Sequence, residues 1–256
     1  MRKIIFTILL FQFVVITGQL TAEVCGDETE ESIDCDLCDL CGIDIGDVHF
    51  CRSCDAYWDC MMECPLVLDI ENNGFAFGNR KSGVWFDLYG DGEPERYQWV
   101  LHGGDDAFLV MDLNENGLVD NGSELFGNGS ELIADGTFAA NGFAALAQYD
   151  DLLLGGNNDG RITAQDGIWE YLYLWFDRNA NGRSEPKEMV RSSEVGLLAL
   201  EIIPSERRGY RDEHGNWLRY WSGASLTRDG KIESIDLLDI YLLRLKQRPD
   251  TGTRSR

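Results

Sequence analysis

The sequence predicts an α+β fold, in which short strands and a few helices surround loops rich in side-chain oxygen atoms, behind a small cysteine-rich segment. Short apolar and aromatic runs alternate with clusters of Asn, Asp and Gly, which is typical of strands separated by turns. Residues 142–149 and 232–245 instead carry apolar side chains at helical spacing. With 256 residues, 44% of them hydrophobic, the chain is long enough to bury a core.

The predicted elements begin where the cysteine-rich segment ends, near residue 64. Strands are predicted at residues 66–70, 84–88, 97–101 and 108–111. A helix is predicted at 142–149, a helical turn leading into a buried strand at 168–176, a brief helix at 192–195, and a buried strand at 197–203. Residues 217–221 and 232–245 complete the core; the apolar spacing of the last run favours a helix and leaves a strand as the alternative.

Residues 1–22 have the layout of a secretory signal peptide. Arg2 and Lys3 precede an apolar run from residue 4 to residue 16, interrupted by Gln12, which is too short for a comfortable membrane span. Cleavage after Ala22 would release a secreted or cell-surface protein that no longer contacts the membrane. A retained N-terminal anchor is the alternative.

All eight cysteines lie in the acidic segment that covers residues 23–64. An even number of cysteines in an exported chain predicts disulfides that stabilise a segment too small for its own core. Cys35, Cys38, Cys51 and Cys54 also form two Cys-x2-Cys pairs, so a zinc-binding interaction domain is the alternative.

The chain is strongly acidic, with 45 Asp and Glu against 22 Lys and Arg and a formal net charge of −23. Such a charge repels nucleic acid and anionic membranes and attracts divalent cations. Residues 246–256 are basic and predict a short disordered tail. Residues 65–245, which lie between the cysteine-rich segment and this basic tail, are therefore predicted to hold the folded core.

The segment from Asp177 to Glu188 has the oxygen spacing of an EF-hand calcium loop. Counted from Asp177, oxygen-bearing side chains stand at positions 1, 3, 5, 9 and 12, and Gly182 stands at position 6, where the chain must turn sharply. The alternative is an acidic surface turn, because Asp, Asn and Gly are common in turns. The predicted ligands are Asp177, Asn179, Asn181, the backbone carbonyl of Arg183, Glu185 and Glu188.

A second loop, residues 112–124, fits the same spacing except that its last acid falls at position 13. Its predicted ligands are Asp112, Asn114, Asn116, the Leu118 carbonyl, Asp120 and Glu124. Asp87, Asp91 and Glu95 form a weaker candidate, since Tyr89 stands where a ligand is expected. Two partial loops begin at Asp69 and near Asn157, and for all three weak candidates an ordinary turn is an equal alternative.

Several motifs occur in an order that resembles a known module. They are Pro65-Leu-Val-Leu-Asp69, Phe86-Asp87, Gly90-Asp91-Gly92, Asp112-Leu-Asn114, Asn121-Gly-Ser-Glu124-Leu-Phe-Gly127 and Asn141-Gly-Phe-Ala-Ala-Leu146, followed by the loop at 177–188. Residues 65–205, and more loosely residues up to about 240, are similar to the calcium-dependent self-processing module of iron-regulated RTX proteins. The resemblance implies that calcium triggers cleavage of an Asp-Pro bond at the start of the module, and that the new Asp carboxyl can be joined to a lysine.

This chain departs from that pattern at the cleavage position, where Cys64 precedes Pro65. An Asp side chain can attack its own carbonyl through a five-membered ring, whereas the Cys sulfur would have to close a strained four-membered ring. We therefore assign no catalytic residue and predict an exported calcium-binding structural or adhesive module that has lost self-cleavage. The alternative is a calcium-triggered autoproteolytic and ligating module. The sequence predicts Ca²⁺ as the ligand and indicates no particular protein or cell-surface partner.

Overall fold

The computed structural model describes residues 64–245. The predicted signal peptide, the cysteine-rich segment up to residue 63 and the basic tail lie outside the described residues. Within the described part of the chain, no helix is long and apolar enough to cross a membrane.

Residues 64–245 are mostly β-structure. The strands are β1 (Leu66–Asp69), β2 (Val84–Phe86), β3 (Glu95–Tyr97), β4 (Asp106–Met111), β5 (Arg161–Thr163), β6 (Leu172–Trp175), β7 (Met189–Arg191), β8 (Leu197–Glu201), β9 (Ser205–Glu206), β10 (Trp217–Arg228) and β11 (Lys231–Tyr241). The α-helix within this range is α1 (Gly142–Ala147), and 3₁₀ helices cover Gly122–Glu124, Gln148–Asp150, Leu152–Leu154 and Gly167–Tyr171.

One antiparallel sheet organises the described residues, with the strand order β5-β8-β10-β11-β1-β4-β6-β7. β9 pairs with β10 beside this path, and β2 and β3 form a separate hairpin. The large sheet curls into a half-barrel, and 11% of the described structure is helical. The predicted α+β class is therefore wrong: the fold is an antiparallel β-fold with a single short α-helix between residues 64 and 245.

The apolar spacing of residues 232–245 favours a helix, but the structure has strand β11 there. Both faces of this strand are covered beyond its exposed start: Ile235 and Leu237 pack on one side of the sheet, and Leu238 and Ile240 on the other. Burial on both faces removes the apolar–polar alternation of a half-buried strand and leaves a run that resembles helical spacing.

The turn before β11 carries the signal that identifies it. Arg228 pairs with Lys231, so that Asp229 and Gly230 alone connect β10 to β11. Both turn residues have positive φ, at 50° and 72°. An Asp-Gly pair in this conformation is a strong hairpin signal, because its twist matches that of the flanking strands.

Two apolar clusters lie on the two faces of the sheet. On one face, α1 packs Phe143 and Leu146 against strand residues such as Leu68 and Leu109. The other face carries the β2–β3 hairpin and a set of packed aromatic rings, with centroids 4.7 Å apart for Trp99–Phe108 and 5.5 Å apart for Phe108–Trp175. The helix begins at Asn141, whose side chain accepts the N–H of Ala144.

The remaining predicted elements agree with the structure to different degrees. The strands predicted at 66–70, 84–88, 108–111 and 197–203 are confirmed as β1, β2, β4 and β8, with shorter bounds for some of them. The predicted helix at 142–149 is α1 followed by a 3₁₀ turn, and residues 168–176 are a 3₁₀ helix leading into β6, as expected. The strand predicted at 97–101 lies earlier, as β3, and residues 192–195 form a turn instead of a helix.

Candidate metal-binding loops

The loop after β6 begins with the carboxylate of Asp177, which is 1% exposed. Its Oδ1 accepts the backbone N–H of Asn181 (3.1 Å), and its Oδ2 accepts the backbone N–H of Gly182 (2.8 Å) and the indole N–H of Trp99 (2.7 Å). The following N–H, that of Arg183, donates to Asn181 Oδ1 (2.6 Å). The core that holds β6 therefore also positions the first predicted ligand, and the loop wraps around it.

The end of this loop folds back onto its start. Glu188 Oε1 accepts the backbone N–H of Arg178 (3.0 Å), and its Oε2 accepts that of Glu185 (3.2 Å). The Glu185 carboxylate accepts the side-chain amides of Asn179 (3.2 Å) and Asn181 (2.9 Å). The structure thus brings the predicted ligands of residues 177–188 into one hydrogen-bonded loop.

The acids of this loop perturb one another. Burial raises the pKa of Asp177 and, together with a hydrogen bond that its protonated carboxyl donates to Glu185, that of Glu188. The hydrogen bond to Glu188 lowers the pKa of Glu185. Carboxylates held this close cannot all ionise cheaply unless a cation lies between them. Proton uptake and cation binding are therefore the two ways in which the loop can reduce its repulsion.

The loop after β4 repeats the first half of this arrangement. Asp112 Oδ1 accepts the backbone N–H of Asn116 (3.1 Å), and Oδ2 accepts that of Gly117 (2.7 Å). The next N–H, that of Leu118, donates to Asn116 Oδ1 (2.8 Å). Each of these bonds has its counterpart in the loop at 177–188.

The second half is repeated as well, in spite of the extra residue. Glu124 Oε1 accepts the N–H of Leu113 (3.0 Å), and Oε2 accepts that of Asp120 (2.8 Å). The Asp120 carboxylate accepts the amides of Asn114 (2.7 Å) and Asn116 (2.8 Å). A 3₁₀ turn at the end of the loop accommodates the additional residue, and burial raises the pKa of Glu124. Glu124, at position 13 of this loop, thus accepts the same two backbone N–H groups, those of positions 2 and 9, that Glu188 accepts at position 12 of the other loop.

The third predicted group is only partly assembled. Asp87 accepts the backbone N–H groups of Asp91 (3.1 Å) and of the glycine after it (2.8 Å). The carboxylate of Glu95 instead accepts the hydroxyl of Tyr97 (2.7 Å) and pairs with Arg244 (2.6 Å). Asp87 and Asp91 therefore share a loop, and Glu95 is held by other partners.

The fourth loop, which contains the partial motif predicted near Asn157, starts at Asp150. Asp150 accepts the N–H of Asp159 (3.1 Å) and that of the following glycine (2.9 Å), across an insertion. At the end of the loop, Asp166 Oδ2 accepts the N–H of Thr163 (2.7 Å). Asp166 is 2% exposed, and its Oδ1 has no hydrogen-bond donor among the described residues.

The fifth loop involves two acids that sequence reasoning missed. Asp69 accepts the N–H of Asn73 (3.1 Å) and that of Gly74 (2.6 Å). Oxygen atoms of Asp69, Asp105 and Asp106 lie within 4.8 Å of one another. The missing signal was the pairing of β1 with β4, which sets Asp69 opposite Asp106. Burial raises the pKa of Asp106 to about 7.

All five loops in the described range share one backbone frame. The leading Asp accepts two consecutive backbone N–H groups, and two residues separated by one adopt positive φ, which glycine does without a Cβ penalty. These pairs are Asn72 and Gly74, Gly90 and Gly92, Glu115 and Gly117, Asn158 and Gly160, and Ala180 and Gly182. The frame presents oxygen ligands and no nitrogen or sulfur side-chain ligand, which suits a hard dication such as Ca²⁺. The buried Oδ1 atom of Asp166, which accepts no hydrogen bond from the described residues, is also a suitable ligand for such an ion.

The junction of Cys64 and Pro65 lies against the folded sheet. The Cys64 side chain is fully buried, and its backbone N–H donates to Asn128 Oδ1 (3.0 Å). The Pro65 carbonyl accepts the N–H of Ile240 (3.2 Å). Tyr241 hydrogen-bonds Cys64, and burial raises the pKa of this phenol. The first residues of the module are therefore fixed by contacts with distant parts of the chain.

Comparison with known proteins places this arrangement in a family. The SPM domain, a self-processing module, matches residues 66–242, more than half of the chain. The iron-regulated protein FrpA of Neisseria meningitidis serogroup C is 36% identical over 174 residues, an alignment that covers 67% of this chain and 14% of FrpA. The chain is thus similar to one segment of a much longer protein. These similarities fit a module of the iron-regulated RTX type.

Proposed function

The chain belongs to the SPM domain family, and we propose that its module binds calcium in oxygen-rich loops and depends on the ion for much of its stability. The observation that carries this proposal is the shared hydrogen-bond frame of the loops at 177–188 and 112–124. In both, one buried glutamate accepts an N–H from the second residue and another from the ninth. This closure joins the end of each loop to its beginning through the same pair of hydrogen bonds.

Charge explains why the ion would stabilise the fold. The chain carries a formal net charge of −23, and several loop acids are buried with raised pKa values. A bound dication neutralises the charge of these carboxylates, which would otherwise be neutralised by protonation. A ligand that binds only the folded state stabilises it by about 2.7 kcal/mol per site at a concentration about a hundred times Kd.

The ligands named in this proposal are of two kinds. The best supported are Asp177, Asn179, Asn181, the Arg183 carbonyl, Glu185, Glu188, Asp112, Asn114, Asn116, the Leu118 carbonyl, Asp120 and Glu124. Asp87 and Asp91 form a further candidate. Glu95 is not carried forward, because Tyr97 and Arg244 hold its carboxylate.

We further propose that the protein is exported and uses this module for a structural or adhesive role, without self-cleavage. Similarity to an iron-regulated RTX-type protein supports export. Cys64 stands before Pro65, so the carboxylate needed to form a five-membered ring with its own carbonyl is absent from the side chain. A calcium-triggered autoproteolytic module is the competing function.

A thermal melt of the metal-stripped full chain tests the proposal, with calcium, magnesium or chelator added and a gel run alongside. We expect a large calcium-specific rise in Tm and one intact band. Glu188→Gln should reduce the rise, and Glu194→Gln, which changes an exposed acid outside the loops, should leave it unchanged. Equal melting in calcium and chelator would refute calcium binding. Fragments separated near residue 64 would instead establish the autoproteolytic module.

A further inference from the structure

An open cleft is lined by two turns that take no part in the candidate calcium loops. The first turn, at residues 79–81, precedes β2, and the second, at residues 211–215, precedes β10. Gln98 also lines the cleft, and its side-chain amide donates to the His214 carbonyl (2.9 Å). The cleft has a volume of about 630 Å³, which is within the range of small-molecule sites in proteins.

Three cations line this cleft in a strongly acidic chain. Arg80 and Lys81 are exposed, and neither forms an ion pair with an acid of residues 64–245. Arg211 is held in place, because its Nη1 donates to the Gly215 carbonyl (3.1 Å) and its guanidinium lies 5.5 Å from the centre of the Trp217 ring. With a formal net charge of −23, most of the chain repels anions, so these cations mark a place where an anionic group can bind.

Two acids line the same cleft, and one of them serves to close its turn. Asp212 Oδ1 accepts the backbone N–H groups of His214 (2.9 Å) and Asn216 (2.9 Å), and Oδ2 accepts the side-chain amide of Asn216 (2.7 Å). The carboxylate of Glu213 is exposed. Three cations against two acids leave a local formal charge of +1, with His214 neutral. These acids would repel a polyanion, whereas a ligand with one carboxylate and several hydroxyls can use lining groups of both signs.

Gln98 adds a buried polar group to the lining. Its side chain is fully buried, and Oε1 has no hydrogen-bond donor among the described residues. Its amide nitrogen is already engaged by the His214 carbonyl, and its backbone N–H donates to the Leu243 carbonyl (2.9 Å). A buried acceptor without a donor is destabilising, and a hydroxyl that enters the cleft can supply that donor.

We propose that this cleft binds one acidic sugar unit of a glycan. The carboxylate of the sugar pairs with Arg80 and Lys81, since charge-assisted hydrogen bonds are stronger than neutral ones. The ring hydroxyls donate to the acceptors of Gln98 and Glu213. The site goes beyond the proposed function, because no residue of its lining belongs to a candidate calcium loop. It also gives the adhesive role a chemical class of ligand.

Saturation-transfer NMR on the full chain in calcium tests the site with two sugars that differ at one carbon atom. Methyl glucuronide carries a carboxylate where methyl glucoside carries a hydroxymethyl group. We expect the glucuronide to bind at least about tenfold more tightly, which is the smallest effect expected from a hydrogen bond to a charged group.

A double variant, Arg80→Gln with Lys81→Gln, should lose this preference for the acidic sugar. Both side chains are exposed, so their replacement leaves the core unchanged. Lys231→Gln is the matched control and should bind both sugars as the unmodified chain does. Lys231 is an exposed cation at the opposite end of β10 from the cleft, where it pairs with Arg228.

Other outcomes would overturn the proposal. If the two glycosides bind alike, or if neither binds, the cleft holds no acidic sugar. If acetate binds as tightly as methyl glucuronide, the cleft recognises a carboxylate alone and the sugar assignment is wrong. If heparin binds and methyl glucuronide does not, the cations serve a polyanion. The calcium-dependent rise in Tm, measured on the same samples, should be equal for the double variant and the unmodified chain, so a failure of the proposed calcium function is detected separately.

Discussion

Replacing Asp177 by alanine separates the turn-forming role of this carboxylate from its proposed role as a ligand. In chelator, the variant leaves the N–H groups of Gly182 and Trp99 buried without an acceptor. A buried donor that loses its partner costs about 1–3 kcal/mol, so together they cost about 2–6 kcal/mol. Removal of a carboxylate whose pKa is raised by burial offsets part of this loss. We expect the metal-free destabilisation to lie in the lower half of that range.

In calcium, the same variant should lose more. The unmodified chain gains about 2.7 kcal/mol from one site at a calcium concentration about a hundred times Kd, and the variant gains little at this loop. The difference in unfolding free energy between the two proteins should therefore grow by about that amount on going from chelator to calcium. Urea unfolding of the full chain, followed by tryptophan fluorescence, measures both differences.

Two further variants make the result interpretable. Asp177→Asn keeps one acceptor oxygen, so it should be less destabilised in chelator while still losing the calcium increment. Asp135→Ala changes an exposed turn acid and should have the same small effect in both conditions. If Asp177→Ala is destabilised equally in calcium and in chelator, the carboxylate serves only to cap its turn and the ligand assignment is wrong.

Three other predictions follow from the loops and the module's first residues. In urea unfolding, Gly182→Ala should lower the free energy of unfolding by clearly more than Gly92→Ala. Both glycines have positive φ, where an added Cβ costs about 1–2 kcal/mol. At Gly182 the Cβ would also lie 2.9 Å from the Trp85 carbonyl oxygen, whereas at Gly92 no atom lies within 4 Å of it. Burial raises the pKa of Asp106 in the folded state from 3.8 to about 7. In chelator, its contribution to the free energy of unfolding should therefore be full below about pH 4 and be lost as the pH rises through about 7. If the free energy of unfolding of Asp106→Asn falls with pH as steeply as that of the unmodified chain, this prediction is wrong. Cys64→Asp should introduce calcium-dependent cleavage between residues 64 and 65, measured by gel electrophoresis and intact mass. Cys64→Ser is the control and should stay intact. If the Asp variant is not cleaved, self-cleavage requires more than the aspartate side chain at this position.

The loops were predictable from sequence because their structure is local. The hydrogen bonds that shape residues 177–188 join positions at most ten apart, so the order of Asp, Asn, Gly and Glu is sufficient to indicate them. The same holds for residues 112–124, where a tolerance of one residue at the end was enough.

The features that sequence reasoning missed depend on distant contacts. Glu95 was assigned to a loop, but Arg244 approaches it from the end of the described chain. Asp105 and Asp106 gain their neighbour Asp69 only when β1 pairs with β4. The helix predicted in place of β11 failed for the same reason, since an apolar run reports burial but does not reveal that two different clusters cover the two faces of one strand.

The arrangement of the strands suggests that the candidate sites act together. β1 and β6 flank β4 and run antiparallel to it, so the ends of β1 and β6 lie beside the start of β4. Asp69, Asp106 and Asp177 therefore stand at the same end of three neighbouring strands, and a bond from the Gly103 N–H to the Arg178 carbonyl (2.8 Å) joins the two loops there. An ion at either group would hold strand ends that the other group also needs in place. Binding at one should thus favour binding at the other, because the order that it imposes on the shared backbone is no longer a cost to the second ion.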